Sequence, residues 1–251
     1  MTYTKQQYKK FFDKVGSRIG WDFSKCKYTA TGVKWELYQE VVKKSQPDDL
    51  LLDIGTGGGE RILKICQNFR LVIAIDHSLG MIQTAQKNLS KAKTKNCRFF
   101  HMDAEKLQFP DGMFDMVSCR HSDFLPAEIY RVLVPGGYFL TQQVGPLDKE
   151  NITKFFGRGQ FLGMDLEEEM NNYVTELKKA GFKTIQTKTY NSAEIYHTPH
   201  DLIFLLKHTP TIPDFGKTKS DFTKLEKFIA ENTTKKGIKT NSHRYMIIAG
   251  K

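Results

Sequence analysis

The sequence lacks the features that mark membrane, secreted and metal-binding proteins. No apolar run approaches the ~18 residues of a membrane-spanning helix, and residues Met1–Gln6 contain no apolar signal-peptide region. The four cysteines form no CxxC pair, and such scattered cysteines are typical of reduced thiols. We therefore predict no membrane contact, no metal site and a cytoplasmic location.

Arginine is scarce in a chain that is strongly basic. The net charge is +10 at pH 7, yet only eight of the 38 basic residues are arginines. Recognition of bases and phosphates relies on the planar fork of arginine, whereas the lysines here are spread along the chain. The pattern favours a solvated lysine-rich surface and keeps RNA as an alternative partner.

The stretch Leu50–Glu60 carries the strongest signal. Apolar residues lead into Asp53, and four glycines follow within the five positions from Gly55 to Gly59. Glycine lets the backbone turn sharply and lets a ligand approach closely. Apolar residues at helical spacing over 62–66 predict a helix directly after the turn, whose free N–H groups would point at the same ligand.

Two acids narrow the class of ligand. Asp53 precedes the first glycine, where a phosphate-binding turn would disfavour a carboxylate. A second apolar run, Leu71–Ile75, ends at Asp76, and a carboxylate at a strand tip suits the two hydroxyls of a ribose. Such charge-assisted hydrogen bonds contribute about 1.5–3 kcal/mol each. Both acids fit a positively charged nucleoside without phosphate, which is S-adenosylmethionine.

Four segments then follow one another in an order that resembles a known family. They are Asp53–Glu60, Asp76, Phe114–Val117 and Glu128–Gly137. In this order and at this spacing they resemble the class I S-adenosylmethionine-dependent methyltransferases, in particular the methyltransferase-11-like group, over about residues 30–145.

The resemblance implies an α/β fold: a Rossmann-like, doubly wound, seven-stranded sheet, mostly parallel with an antiparallel last strand. It further implies an N-terminal helical lid over 1–46, with helices predicted at 4–14 and 32–45. The methyltransferase domain would occupy 47–251, with a helical insertion at about 192–240 before the last strand.

The resemblance also assigns residues to cofactor binding. Asp53 and the glycine turn would hold the methionine end, Asp76 the ribose and Asp103 the adenine amino group. The residues after Asp76 would flank the adenine, and the neighbours of Asp103 would form apolar walls. The full cofactor set is Asp53, Gly55, Thr56, Gly57, Gly59, Asp76, His77, Met81, Met102, Asp103, Ala104 and Cys119.

The acceptor should bind at the end of the fourth parallel strand, because ligands of open α/β sheets collect beyond the carboxyl ends of the strands. There, His121 is a candidate to take a proton or a structural histidine, and Arg120 is a candidate anchor for substrate or cofactor. Gln142 and Gln143 alternate faces of the next strand, so that one of them can reach the acceptor.

Three functions remain open at this point. A methyltransferase acting on nitrogen or oxygen of a small molecule predicts a closed, partly apolar cavity beside Cys119. An RNA base methyltransferase, acting on rRNA or tRNA, predicts an open cleft lined by lysines. A non-catalytic S-adenosylmethionine-binding protein predicts affinity without turnover. The sequence specifies no oligomeric state.

Overall fold

The computed structural model describes residues 4–165 and 168–251. Within these ranges nine strands form a single sheet. The strands are β1 (Tyr28–Thr31), β2 (Leu50–Ile54), β3 (Leu71–Asp76), β4 (Cys97–His101), β5 (Phe114–Arg120), β6 (Leu133–Val144), β7 (Thr184–Tyr196), β8 (Thr233–Thr234) and β9 (Gly237–Gly250).

Eight α-helices accompany the sheet in the described part of the chain. They are α1 (Lys5–Ile19), α2 (Leu37–Lys44), α3 (Leu79–Lys91), α4 (Pro126–Val132), α5 (Glu150–Phe156), α6 (Glu168–Ala180), α7 (Pro199–His208) and α8 (Lys219–Asn232).

The strand order β1-β7-β9-β6-β5-β2-β3-β4 confirms the predicted doubly wound α/β class. Strands β2 to β6 pair in parallel, and the last long strand, β9, runs antiparallel between β6 and β7. The sheet exceeds the predicted seven strands because β1 adds to the edge at β7 and the two-residue β8 pairs with β9.

Each face of the sheet buries its own apolar layer. One layer joins Leu51, Ala74 and Leu140 of the sheet to residues of α2 and α3. The other layer joins the alternate strand residues, such as Leu52 and Ile54, to residues of α4 and α6. Adjacent strand residues point to opposite faces, so this division decides which side chains reach the functional site.

The predicted insertion differs from the structure at both ends. Strand β7 continues to Tyr196 and β9 already begins at Gly237, so the helical part, α7 and α8, spans 199–232. These helices and α5 bury a third apolar cluster against the far halves of β7 and β9. Long antiparallel strands here satisfy backbone groups that a loop would leave to water.

The prediction of a helix directly after the glycine turn was wrong. Two 3-10 turns, Ile62–Lys64 and Cys66–Asn68, occupy that stretch. The Asn96 amide donates to the carbonyls of Cys66 and Phe69 at 2.7 Å each, which gives these oxygens partners that a continued helix would have supplied.

The observed bounds of the N-terminal helices differ from the predicted bounds by only a few residues. Helix α1 continues to Ile19, whereas α2 begins only at Leu37, where the Glu36 side chain accepts from the Gln39 N–H at 3.0 Å and caps the helix. Val33, before this cap, is 48% exposed.

Asp165 caps α6, since the Glu168 N–H donates to Asp165 Oδ1 at 3.1 Å. The sequence after Asp165 has apolar residues at helical spacing, the first of which, Leu166, falls outside the described residues.

Candidate cofactor and acceptor site

The glycine turn adopts backbone conformations that favour glycine. Gly55, Gly57 and Gly59 have φ angles of 70°, 60° and 76°, in the left-handed region that side chains with Cβ rarely occupy. A Cβ on Gly55 would lie 2.3 Å from Ser122 Cβ, and one on Gly57 would lie 3.1 Å from Trp21 Cβ. The turn is therefore a shallow cradle beneath Trp21.

The Thr56 hydroxyl is buried on the glycine turn. It lies close to the carboxylate of Asp53 and acts to lower the pKa of that carboxyl.

Asp53 is completely buried at the tip of β2. Ser118 Oγ donates to Asp53 Oδ1 at 2.6 Å, and the Tyr38 hydroxyl donates to Oδ2 at 3.3 Å. Burial raises the pKa of the carboxyl to about 6, although the hydrogen bonds oppose this rise. A cationic ligand group nearby would favour the ionised form.

Asp76 stands at the tip of β3, 8% exposed. Its Oδ2 accepts from the Gly57 N–H at 2.9 Å and its Oδ1 from the Ser78 N–H at 2.9 Å. Burial raises the pKa of this carboxyl, and the two backbone donors oppose the rise. Each carboxylate oxygen offers about two acceptor positions, so both retain capacity for a ribose hydroxyl.

The next predicted residues follow β3 directly. The His77 ring is in edge contact with Phe12 of α1 at 6.5 Å between centroids, and Met81 of α3 is 2% exposed beside Gly57. Met81 therefore lies between the glycine turn and α1, and His77 contacts α1.

The residues predicted to hold the adenine follow β4. The Asp103 carboxylate is exposed, and its Oδ1 accepts from the Glu105 N–H at 3.0 Å. Met102 and Ala104 are half-buried and pack against the second apolar layer. The structure thus brings Asp53, Asp76 and Asp103 to the carboxyl ends of three neighbouring strands.

The N-terminal segment closes over this edge of the sheet. Helix α1 crosses α3 so tightly that a Cβ on Gly80 would lie 2.5 Å from the Asp13 carbonyl oxygen. Ser78 Oγ donates to Asp13 Oδ1 at 2.7 Å, and the Trp21 N–H donates to Glu60 Oε1 at 2.8 Å. Asp13 and Trp21 were missed because no spacing in the sequence links them to the glycine turn.

A chain of hydrogen bonds runs from the N-terminal segment to His121. The Trp35 indole N–H donates to Gln142 Oε1 at 2.9 Å, which leaves the Gln142 amide nitrogen as a donor to His121 Nε2 at 3.0 Å. The other ring nitrogen, Nδ1, therefore carries the proton of the neutral imidazole. Burial, followed by the charge of Arg120, holds the pKa of His121 well below its usual range.

Gln143 and Cys119 point to the opposite face. Gln143 Nε2 donates to the Ser122 carbonyl at 2.9 Å, and the Cys119 thiol donates to the same carbonyl at 3.1 Å. Cys119 is completely buried in the layer that contains α4 and α6. The Cys119 thiol is therefore not exposed on the face of Asp53. The predicted contact of Cys119 with the cofactor, and the predicted cavity beside it, stay predictions.

Arg120 ends β5 on the same face as Asp53, because Ser118 two residues earlier bonds to that acid. Its guanidinium forms no hydrogen bond or ion pair with the residues 4–165 and 168–251. Burial, and then repulsion from Arg61 and Arg244, lowers the pKa of Arg120 to about 10, which leaves it charged near neutral pH.

Arg244 belongs to a buried ion network that the sequence did not reveal. Its Nη1 pairs with Asp148, and the neighbouring Lys149 Nζ lies 2.7 Å from Glu194 Oε2 and 3.7 Å from Asp148 Oδ1. The Tyr196 hydroxyl also donates to Glu194 Oε2, at 3.0 Å. Only the pairing of β6, β7 and β9 brings these distant residues together.

The residues present fit S-adenosylmethionine. An acidic group stands at each of three strand ends, and the glycine turn with its Thr56 hydroxyl lies beside Asp53. No group of three or more metal-ligating side chains converges in the described part of the chain. Within the same ranges, no helix is long and apolar enough to cross a membrane.

Comparison with known proteins points to the same class. Residues 51–137 match the family described as "Methyltransferase domain". The chain is 27% identical over 174 residues to the malonyl-[acyl-carrier protein] O-methyltransferase of Marinomonas sp., a match that covers 63% of this chain and 62% of that protein. It is 29% identical over 152 residues to the demethylmenaquinone methyltransferase of Symbiobacterium thermophilum, covering 54% and 59%.

These matches span less than two thirds of either relative. Among solved structures, the YcgJ protein of Bacillus subtilis shares the fold with a TM-score of 0.61 at 19% identity, over 85% of this chain and 97% of that chain. The chain thus has the fold of YcgJ, and its residues 51–137 are similar to a methyltransferase domain. Together with the glycine turn and the three acids, this similarity supports S-adenosylmethionine as the cofactor.

Proposed function

We propose that the protein transfers the methyl group of S-adenosylmethionine to a nitrogen or oxygen atom of a small-molecule acceptor. The two relatives above are named for a malonyl group on a carrier protein and for a demethylmenaquinone, neither of which is a nucleic acid.

The observation that carries this proposal is the cover over the crevice. We infer that the N-terminal segment is a lid, because within the described residues it places Trp21 beside the glycine turn, Trp35 against Gln142 and Tyr38 against Asp53. A lid at this edge would exclude water and favour an acceptor small enough to be enclosed.

The acids at the ends of β2, β3 and β4 would each bind a different part of the cofactor. Asp53 at β2 would hold the ammonium of the methionine end, Asp76 at β3 the ribose hydroxyls, and Asp103 after β4 the adenine. S-adenosylmethionine supplies a methyl group on a sulfonium sulfur, and its leaving group is a neutral thioether that needs no acid. Positioning by these side chains should therefore supply much of the rate.

Arg120, His121 and Gln142 lie beyond Asp53 in the strand order and would contact the acceptor. We assign His121 a positioning role, because its Nε2 already accepts a hydrogen bond from Gln142 and its pKa lies well below its usual range. Gln143 packs on the other face and would act through the Ser122 loop.

The observation that favours an RNA acceptor is a cavity of about 630 Å³, which is lined by Lys34, Lys43 and Lys188 among other residues. Two of these lysines share the one carboxylate of Glu40, at 2.6 Å and 3.6 Å, so a positive excess remains that would attract phosphate groups. An RNA acceptor also predicts binding that weakens steeply as salt rises.

Radiolabelled methyl transfer to a fractionated cell extract distinguishes these functions. We expect label in the small-molecule fraction. Label in RNA would favour the alternative, and cofactor binding without transfer to any fraction would favour a non-catalytic protein. The four free, buried cysteines are the reason for proposing a reducing compartment such as the cytoplasm, which fractionation of cells with an antibody would test.

A further inference from the structure

Three arginines surround the end of β5, and two of them have carboxylate partners. Arg61 Nη1 lies 3.4 Å from Glu36 Oε1, and Arg244 pairs with Asp148. Arg120 pairs with none of the residues in 4–165 and 168–251. A partly buried guanidinium without a partner is costly unless a ligand supplies one.

The position of Arg120 favours the acceptor as that ligand. The strand order β4-β3-β2-β5-β6 places the three acids on one side of β5. Arg120 pairs in register with Gln142, and Gln142 pairs with Met246, two residues from Arg244. Arg120, Gln142 and Arg244 thus share one face just past the predicted methionine end of the cofactor.

The same surroundings disfavour an acceptor that must lose a proton to the protein. His121 is the titratable imidazole at this point, and its Nε2 is engaged by Gln142. The arginines on the neighbouring elements, Arg61, Arg120 and Arg244, all act against a positive charge on that ring. A nucleophile that is already ionised needs no base and is attracted by the same charges.

We propose, on the basis of the function proposed above, that the acceptor is a small-molecule carboxylate held by Arg120 and methylated on oxygen. One carboxylate oxygen forms a bond to the methyl carbon as the carbon–sulfur bond breaks. The electron pair of the broken bond stays on sulfur, and no proton moves. Gln142 and Arg244 flank the group and would fix its orientation, since the arginine fork matches the geometry of a carboxylate.

A binding experiment tests the site without turnover. The probe is acetate, the smallest carboxylate with a methyl group, titrated into the S-adenosylhomocysteine complex and followed by the fluorescence of Trp21 and Trp35, with acetamide as the uncharged match. We expect saturable binding of acetate that Arg120→Gln weakens by about tenfold or more. Arg120→Lys should recover part of it, and Arg70→Gln, at an exposed arginine before β3, should change nothing.

Absence of acetate binding, or equal binding by Arg120→Gln, would overturn the proposal. So would a loss of S-adenosylhomocysteine affinity in Arg120→Gln that is not matched for 5′-methylthioadenosine, because Arg120 would then hold the cofactor's own carboxylate. We expect both affinities to stay within about twofold of the wild-type values.

The product gives an independent reading. A methyl ester releases labelled methanol in alkali, whereas N-methyl groups and ethers do not. We expect the labelled small molecule from the extract to be alkali-labile, and an alkali-stable product would overturn the proposal. Failure to label any small molecule would refute the proposed function instead, and the acetate titration would still decide whether Arg120 is a carboxylate site.

Discussion

Replacing Asp53 with asparagine should remove the pH dependence that its burial creates. The carboxyl is completely buried, and its pKa rises from 3.8 to about 6 chiefly through burial. A raised folded-state pKa means that the folded protein holds this proton more tightly than the unfolded chain. Its contribution to stability is therefore present at low pH and is lost as pH rises from about 4 through about 6.

The magnitude follows from the size of the shift. About two pKa units correspond to roughly 3 kcal/mol of unfolding free energy lost between pH 3.8 and pH 7. Asp53→Asn keeps the shape of the side chain without the charge. The unfolding free energy of this variant should therefore change less between pH 3.8 and pH 7 than that of the wild type. Urea titration at several pH values measures the difference.

The affinity for the cofactor should rise with pH, whereas the contribution of Asp53 to stability falls with pH. Only the ionised carboxylate attracts the ammonium of the methionine end, and with a pKa of about 6 roughly a tenth of Asp53 is ionised at pH 5 against about nine tenths at pH 7. The affinity for S-adenosylhomocysteine should therefore fall by about tenfold from pH 7 to pH 5. In Asp53→Asn this fall in affinity from pH 7 to pH 5 should be absent.

Isothermal titration with two ligands isolates the effect of Asp53. The pKa of Asp76 is also raised by burial, but that acid is proposed to bind the ribose, which 5′-methylthioadenosine shares. The ratio of the two affinities should therefore depend on pH in the wild type and stay constant in Asp53→Asn. A ratio that does not change with pH in the wild type would refute the assignment of the methionine end to Asp53.

Three further substitutions probe the rest of the structure. Asp76→Ala should weaken S-adenosylhomocysteine binding by about tenfold or more by calorimetry, and unchanged affinity would contradict its place at the ribose. Gly80→Ala puts a Cβ 2.5 Å from the Asp13 carbonyl oxygen and should lower the unfolding free energy by about 1–3 kcal/mol, whereas Ser90→Ala on the exposed side of the same helix should not. Lys149→Met leaves Glu194 buried without its cation and should cost about 3–5 kcal/mol, part of which the added change Glu194→Gln should restore. Additive losses in that pair would contradict a direct interaction.

The glycine turn and the acids at the strand tips were predictable because their signals are local. Glycines at alternate positions after an apolar strand encode the turn directly, and an acid at the end of an apolar run marks a strand tip. The sequence alone was therefore enough to place Asp53 and Asp76 at the same edge of the sheet. The alternation of Gln142 and Gln143 between faces follows from strand geometry in the same way.

The helix predicted after the turn shows the limit of such patterns. Apolar spacing over 62–66 matches a helix, but the residues that take up the backbone carbonyls include Asn96, about thirty positions away. Local periodicity contains no information about that partner, so the 3-10 turns could not be predicted.

The sequence by itself determined the class of fold, the cofactor and the position of Asp53 and Asp76 at strand tips, because each depends on residues that are close in the chain. The tertiary structure alone decided which side chains lie together on the face proposed for the acceptor. Trp35, Arg120, Gln142 and Arg244 come from strands and loops far apart in sequence, and only the pairing of β5, β6 and β9 puts them on one face. Whether an arginine has a partner depends on every element packed around it, and no local pattern encodes that.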